Sequence, residues 1–532
     1  MDCVETLPAR LHASDLSVTP TNEALNERTK GNKMTQLKFA RRAFLTKAGQ
    51  GLVALPLIAA LPASMEAETS QKGAEEKASA APAKPGVHLN VRDFGALGNG
   101  KTKDTAAIQQ ALDRCPLLGG GEVLVPAGEY LTGAIVLRSN TTLRIEEGSS
   151  LMGSPDIADY PMTQVRWEGR WIKGYGAFVS AQEAENITII GKGKIVASPE
   201  IKGRVIRSDG SPMVYTRPAA GAPTRNPDGP TNVARQDIIR HPALMEFTRC
   251  KNLLVEDVFT QGNDMWSTHP VYCENVTFRN VTIHSGADGI DVDSCKHVVI
   301  EGCQFETRDD CISLKSGRGM EANVIGVVCE DIRISNCTFN DAVWACIGIG
   351  SETSGGIRNV LVEHCKCLGA HTHAIYIKSR PGRGAFIEDI TMNDLEVSNA
   401  KLGFLRINIL NSGLQDPNPV PGLDGIPTIR NYRFSNIHVT DVPVLVQANE
   451  IHADKPLDGF SLINVTGTCG KGILLANMKH VELKDIKVTG FSGPLLSTHN
   501  VTGKGLEGAV PLTETAKVPD PIPVPATPFV LH

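Results

Sequence analysis

The sequence has no excess of basic residues: 53 Lys and Arg stand against 58 Asp and Glu, for a net charge of −5. Without a basic face, nucleic acid is excluded as the main partner, and any grip on an acidic polymer must come from local Lys and Arg. No C-x-x-C pair with zinc-type partners occurs, so no metal or other cofactor is expected. The apolar run from Gly51 to Ala63 is too short to span a bilayer comfortably. The glycine loop GALGNG at 95–100 lacks a surrounding βαβ unit and is not a dinucleotide site. The leucine ladder and helical half of a leucine-rich repeat are also missing.

What the chain does have is a short repeat. Cys250 opens CKNLLVEDV, Cys273 opens CENVTFRNV, Cys295 opens CKHVVIEGC, and Cys329 opens CEDIRISNC after an insertion. IRNVLVEHC from Ile357, IEDITMNDL from Ile387 and KHVELKDIK from Lys479 continue the theme, which weakens beyond Asp441. A period in the twenties built from short alternating strands predicts a solenoid, and with no helical half the remaining choice is a parallel β-helix, one coil per repeat. Cysteines recurring at that period read as a buried ladder of free thiols rather than disulfides, because free Cys behaves as a small hydrophobe. A helix over Thr105–Arg114, capped by Thr102 or Asp104, would cover the first coil and hide its unpaired strand edge.

Acidic residues concentrate in Ser285–Gly317. Asp288 sits in GADG, and Asp309 and Asp310 adjoin in RDDC about one period later. Residues one period apart stack at the inter-strand spacing of about 4.8 Å, so the three carboxylates should meet on one surface. Crowded carboxylates push their pKa values apart, and a carboxylic acid beside a carboxylate is the apparatus of glycoside hydrolysis.

The stretch resembles the active-site region of glycoside hydrolase family 28, the polygalacturonase and rhamnogalacturonan hydrolase family. Its members carry NTDG, then GDDC followed by an IKSG-like strand; this chain has GADG and RDDCISLKSG. The resemblance runs from about Asn90 to Asp441. It implies a single-stranded, right-handed parallel β-helix and inverting hydrolysis of α-linked galacturonides in pectin. It further implies Asp309 as the acid, its pKa raised by two flanking anions, and Asp288 and Asp310 as the pair that holds and deprotonates water. Two positions depart from the family pattern: Trp344 falls where a Gly-His-Gly histidine is common, and Tyr376-Ile377-Lys378 replaces Arg-Ile-Lys. A phenol for a guanidinium and an indole for an imidazole favour a less uniformly charged backbone, such as rhamnogalacturonan. Lys378, Tyr376, Trp344, His269, His373 and Arg383 are the candidate sugar contacts. Pectate lyase, which needs Ca²⁺ and a proton-abstracting base, and a non-catalytic carbohydrate-binding solenoid are the rival classes.

The chain divides into an extension with a twin-arginine export signal at 1–65, where Arg41 and Arg42 precede Phe44-Leu45 and the apolar run, and a linker at 66–86. The β-helix follows at 87–515 and a Pro-rich tail at 516–532. Insertions at 155–178 and 200–240, which hold Trp167, Trp171, Tyr175, Arg204, Arg207, Arg225, Arg235 and Arg240, are expected to build a binding face. The mature protein is expected to be a periplasmic or secreted monomer, free of membrane, acting on a pectic polysaccharide.

Overall fold

Alternation decides the architecture. In Glu274–Arg279, Val276 and Phe278 are buried while Thr277 and Arg279 are not. The same phase recurs in Lys251–Glu256 and Lys296–Glu301. Such strands cannot bury their apolar side alone, so they stack in parallel. Val276 lies opposite Val298, Val298 opposite Ile332, Ile332 opposite Val360, and Val360 opposite Ile390. Each of these side chains is fully buried, an upper bound of about 1.5–3 kcal/mol apiece. The result, in a computed structural model that describes residues 86–207, 238–513, 516–520 and 522–531, is a parallel β-helix. One sheet of 31 strands joins all its coils, which turn in the right-handed sense of parallel crossovers. The twin-arginine segment, Arg225 and Arg235 lie outside the described residues.

Each coil turns on a residue that tolerates a left-handed backbone. Asn186, Asn252 and Asn275 have φ of 56°, 56° and 58°. Their amides form a chain along the outside: Asn186 donates to Asn140 at 2.8 Å, Asn252 to Asn186 at 2.8 Å, and Asn275 to Asn252 at 3.0 Å. Asparagine is suited to this position because its short polar side chain offsets the left-handed cost locally.

The cysteines stack inside. The Cys250 N–H points at Cys273 Sγ at 3.4 Å and the Cys273 N–H at Cys295 Sγ at 3.3 Å. Every described cysteine is free and buried. Burial pushes the Cys115, Cys311 and Cys329 thiols up, to about 12 for Cys329, so these are poor nucleophiles.

The ends differ in detail from expectation. The capping helix runs Thr105–Leu117, beyond Arg114, and buries Ala107, Ile108, Ala111, Leu112 and Cys115. Asp104 stands at its N-cap with no side-chain bond to the helix; its carboxylate instead accepts from the Leu97 and Gly98 N–H groups at 2.7 and 3.0 Å, tying down the preceding loop. The coils also persist past Asp441, through Thr428–Glu450, Leu457–Thr489 and Leu496–Lys504. There the strands are longer, and left-handed corners such as Asn436 and Asn464, with φ of 55° and 54°, fall within continuous strand. No described helix is long and apolar enough to cross a membrane.

Candidate active site

One strand ladder forms the floor. Ile290–Asp293, Ile312–Lys315, Ile347–Ile349, His373–Lys378 and Gly403–Asn408 lie side by side in parallel. Ile290, Ile312, Ile347, Ile375 and Leu405 stack inward and are buried. The next residues face outward, so Asp291, Ser313, Gly348, Tyr376 and Arg406 form one row. Two residues on, Asp293 lies opposite Lys315, and Lys378 opposite Asn408. Polar residues on the outside of an otherwise apolar strand give a charged groove floor.

The two segments that lead into this floor carry the aspartates. The Gly289 N–H donates to the Asp310 carbonyl at 3.0 Å, and the Ile290–Ile312 register continued backward sets Asp310 opposite Asp288. Asp309 stands one residue nearer the turn. Each carboxylate meets its own cation. Lys315 Nζ donates to Asp288 Oδ2 at 3.2 Å and also contacts Asp291. Lys378 Nζ donates to Asp310 Oδ2 at 2.5 Å. Arg204 Nη2 donates to Asp309 Oδ2 at 2.6 Å. Ser313 Oγ bridges Asp288 and Asp310 at 3.4 and 3.1 Å, and the Ala345 N–H holds the other oxygen of Asp310 at 3.0 Å.

Electrostatics separate these groups. Burial pushes Asp310 up to about 6, with Lys378 pulling it down and Asp288 and Asp309 adding to the rise. Burial, then the neighbouring Asp288, also raises Asp291. Burial opposes the charges of Lys315 and Lys378, yet the carboxylates around them raise both. The sequence argument puts the raised pKa on Asp309. In the structure burial raises Asp310, and Asp309 is partly open beside the Arg204 guanidinium.

Three small residues make this geometry possible. A Cβ on Gly348 would fall 2.6 Å from Asp310 Oδ2 and 3.3 Å from Lys378 Nζ; Lys378 reaches Asp310 only because Gly348 is bare. A Cβ on Gly286 would fall 2.3 Å from the Asn263 carbonyl oxygen. Ala287 is fully buried against an apolar cluster that includes Val165, Trp167 and Trp266. This explains GADG: the position before Asp288 is covered by the insertion. That insertion is a hairpin of Met162–Trp167 and Arg170–Tyr175, joined by Val205–Arg207 and Ile238–Arg240 into a four-stranded sheet. Arg166 anchors it to the floor through Asp293 at 2.9 Å.

Residues 121–409 match the model of glycosyl hydrolases family 28. The chain belongs to that family. It is 28% identical over 385 residues to a probable polygalacturonase of Vitis vinifera, covering 70% of this chain and 73% of the relative. It is 27% identical to the exo-poly-alpha-D-galacturonosidase of Dickeya chrysanthemi, over 70% of this chain and 65% of the relative. A solved exopolygalacturonase from Thermotoga maritima superposes with a TM-score of 0.63 at 27% identity, covering 76% of this chain and 92% of that one. As a family 28 member the protein is a glycoside hydrolase, which sets aside the lyase and the non-catalytic solenoid.

The other sequence candidates of this family 28 chain fall into two groups. Lys378 and Trp344 stand at the groove. Trp344 is 37% exposed, and its N–H meets the Asp309 carbonyl at 3.3 Å; the neighbour that touches Asp310 is Ala345, not Trp344. Tyr376, His269, His373 and Arg383 are buried. Tyr376 lies under Arg406, whose guanidinium is 5.2 Å from the ring centroid. His269 is walled in by Trp266 and bonded to Glu246 at 3.2 Å. Burial lowers His373 to about 3. Arg383 gives its N–H groups to the Ser351 and Leu414 carbonyls at 2.8 and 2.6 Å, bracing loops rather than facing a sugar. Arg240 is likewise buried, on Glu246 at 2.6 Å. Sequence reasoning missed Asp291, Lys315, Arg406 and the role of Gly348. The alternation of IDVD and ISLK was the available signal for the first two, and a lone glycine inside a strand for the last.

Proposed function

We propose that this family 28 hydrolase cleaves α-linked galacturonide bonds of pectin with inversion, using Asp309 as general acid and Asp288 with Asp310 as the water-holding pair. The observation that carries the reading is the separate neutralisation of three clustered carboxylates. Lys315 and Lys378 lie buried beneath Asp288 and Asp310, and Lys378 opposes the burial that raises Asp310. Asp309 is the most open of the three, its side chain 23% exposed, where a glycosidic oxygen can reach it. An acid on one side of the bond and a base on the other is the inverting arrangement. The relatives named polygalacturonase and exopolygalacturonase support galacturonate as the sugar. Export through Arg41 and Arg42 to the periplasm or medium, and action as a monomer, belong to the same proposal.

The polymer is the finer question. Tyr376 no longer argues for an uncharged sugar, since it is covered and Arg406 lies over it, paired with Glu450 at 2.8 and 2.9 Å. Trp344 still does: an exposed indole beside Asp309 suits the apolar face of rhamnose. The expected outcome is that kcat/KM on polygalacturonate exceeds that on rhamnogalacturonan at matched ionic strength, and that Trp344→Ala narrows activity on the second polymer more than on the first. Faster hydrolysis of rhamnogalacturonan by the unaltered enzyme would make Trp344 the determinant and decorated pectin the substrate.

A further inference from the structure

The five floor strands carry three cations: Lys315, Lys378 and Arg406. Two of them are committed to the catalytic carboxylates. Lys315 is wedged between Asp288 and Asp291, and Lys378 closes on Asp310 at 2.5 Å. Their side chains are only 7% and 11% exposed, so a substrate carboxylate reaches neither without displacing an aspartate. Arg406 is placed otherwise. It stands in the outward row two coils past Gly348, roughly 10 Å along the groove at the spacing of β-strands. It therefore addresses a sugar further along the chain than the bond above Asp310.

Its guanidinium is clamped on one face and one edge. The Tyr376 ring lies against it, with the ring centroid 5.2 Å from Arg406 Cζ and 5.4 Å from Lys378 Nζ. Nε and Nη2 donate to Glu450 at 2.8 and 2.9 Å. A guanidinium has five N–H groups, so Glu450 takes two and three remain. Among the described residues none of those three makes a hydrogen bond, and the side chain is 19% exposed. His373, one coil back, is kept neutral by burial and by Arg406 itself. A planar fork held this way is preorganised, so using its open edge costs little entropy.

We propose that Arg406 receives a uronate carboxylate of the sugar chain on the guanidinium edge that Glu450 leaves open, and so selects for charged pectin away from the bond that is cleaved. This rests on the galacturonide reading and deepens it. Tyr376 stands where the family pattern has arginine, and the next coil returns a guanidinium above that phenol. Nothing has to move: Arg406 keeps both bonds to Glu450 and adds two parallel, charge-assisted ones to the sugar. An esterified sugar brings no charge to that edge and is held more weakly. No bond forms or breaks there, so Arg406 acts on binding. Its loss raises KM and spares kcat.

The test measures trigalacturonate and its methyl ester, each as substrate or competitive inhibitor, on the unaltered enzyme, Arg406→Gln, Arg406→Lys and Glu450→Gln. Arg406→Gln weakens trigalacturonate by roughly 10–100-fold in KM, the value of a hydrogen bond to a charged group, with kcat and the ester unchanged. Arg406→Lys keeps the charge without the fork and retains part of the preference for the free acid. Glu450→Gln keeps the guanidinium and removes its competing carboxylate, so trigalacturonate binds at least as well as in the parent. An equal loss on acid and ester in Arg406→Gln would make Arg406 a structural brace and overturn the inference. So would a Glu450→Gln variant as impaired on the acid as Arg406→Gln. If Arg406→Gln does not fold, Arg406→Lys decides: an acid preference equal to the parent's overturns the inference, and a reduced one supports it. A parent enzyme that neither binds nor cleaves trigalacturonate would overturn the galacturonide reading itself, a result distinct from the others.

Discussion

Replacing Asp309 by asparagine lowers kcat on polygalacturonate by roughly 10²–10⁴-fold, the usual contribution of a general acid, and leaves the β-helix folded. The change keeps the shape of the side chain and removes only the proton. The backbone around it is held independently: the Thr307 hydroxyl and the Trp344 N–H donate to the Asp309 carbonyl at 2.9 and 3.3 Å. One contact that changes is the partly exposed pair with Arg204, and surface pairs contribute about 0–1 kcal/mol. Stability by thermal melting should therefore move little while turnover collapses. A loss of activity under about tenfold in a well-folded variant would remove Asp309 from the acid role, and the buried, proton-retaining Asp310 would be the next candidate.

Replacing Lys378 by methionine moves the pH dependence instead. Lys378 pulls down the pKa of Asp310, which burial pushes up to about 6. Without the ammonium the burial effect stands unopposed, so Asp310 keeps its proton to higher pH. As a base Asp310 must be ionised, so the acid limb of kcat/KM, expected near pH 6 in the unaltered enzyme, shifts upward in the variant. Stability carries the same sign. A carboxyl whose folded pKa is raised gives full stability below its unfolded pKa and loses it as the pH rises through the folded value. The variant should thus melt close to the parent near pH 4 and well below it at pH 8, where a buried carboxylate without its partner costs about 3–5 kcal/mol. An unshifted acid limb would mean that Asp310 does not titrate in the rate-determining step.

The sequence revealed the floor of this site better than its walls. Asp288 and the Asp309–Asp310 pair were legible because the β-helix repeats: the spacing between them matches that between Cys273 and Cys295, and stacking follows from period alone. Lys378 was legible only through the resemblance of Tyr376-Ile377-Lys378 to Arg-Ile-Lys, as a sugar contact and not as the partner of Asp310. Arg204 appeared only as one of several arginines in an insertion, because its contact with Asp309 depends on how a separate four-stranded sheet folds over the coils, and no periodicity reports that. His269, His373 and Arg383 misled because residue type suggests chemistry while burial decides it; each lies under a neighbouring side chain or loop. Gly286 and Ala287, which stand where the family pattern has Asn-Thr, are the space and packing that the insertion requires.

The most direct test of the central claim is proton NMR of the first product released from polygalacturonate, recorded before mutarotation. Inverting hydrolysis by an acid and a base that flank an α-linkage predicts new reducing ends that are saturated and initially β. Initial α-product, or an unsaturated end, would contradict the roles assigned to Asp288, Asp309 and Asp310.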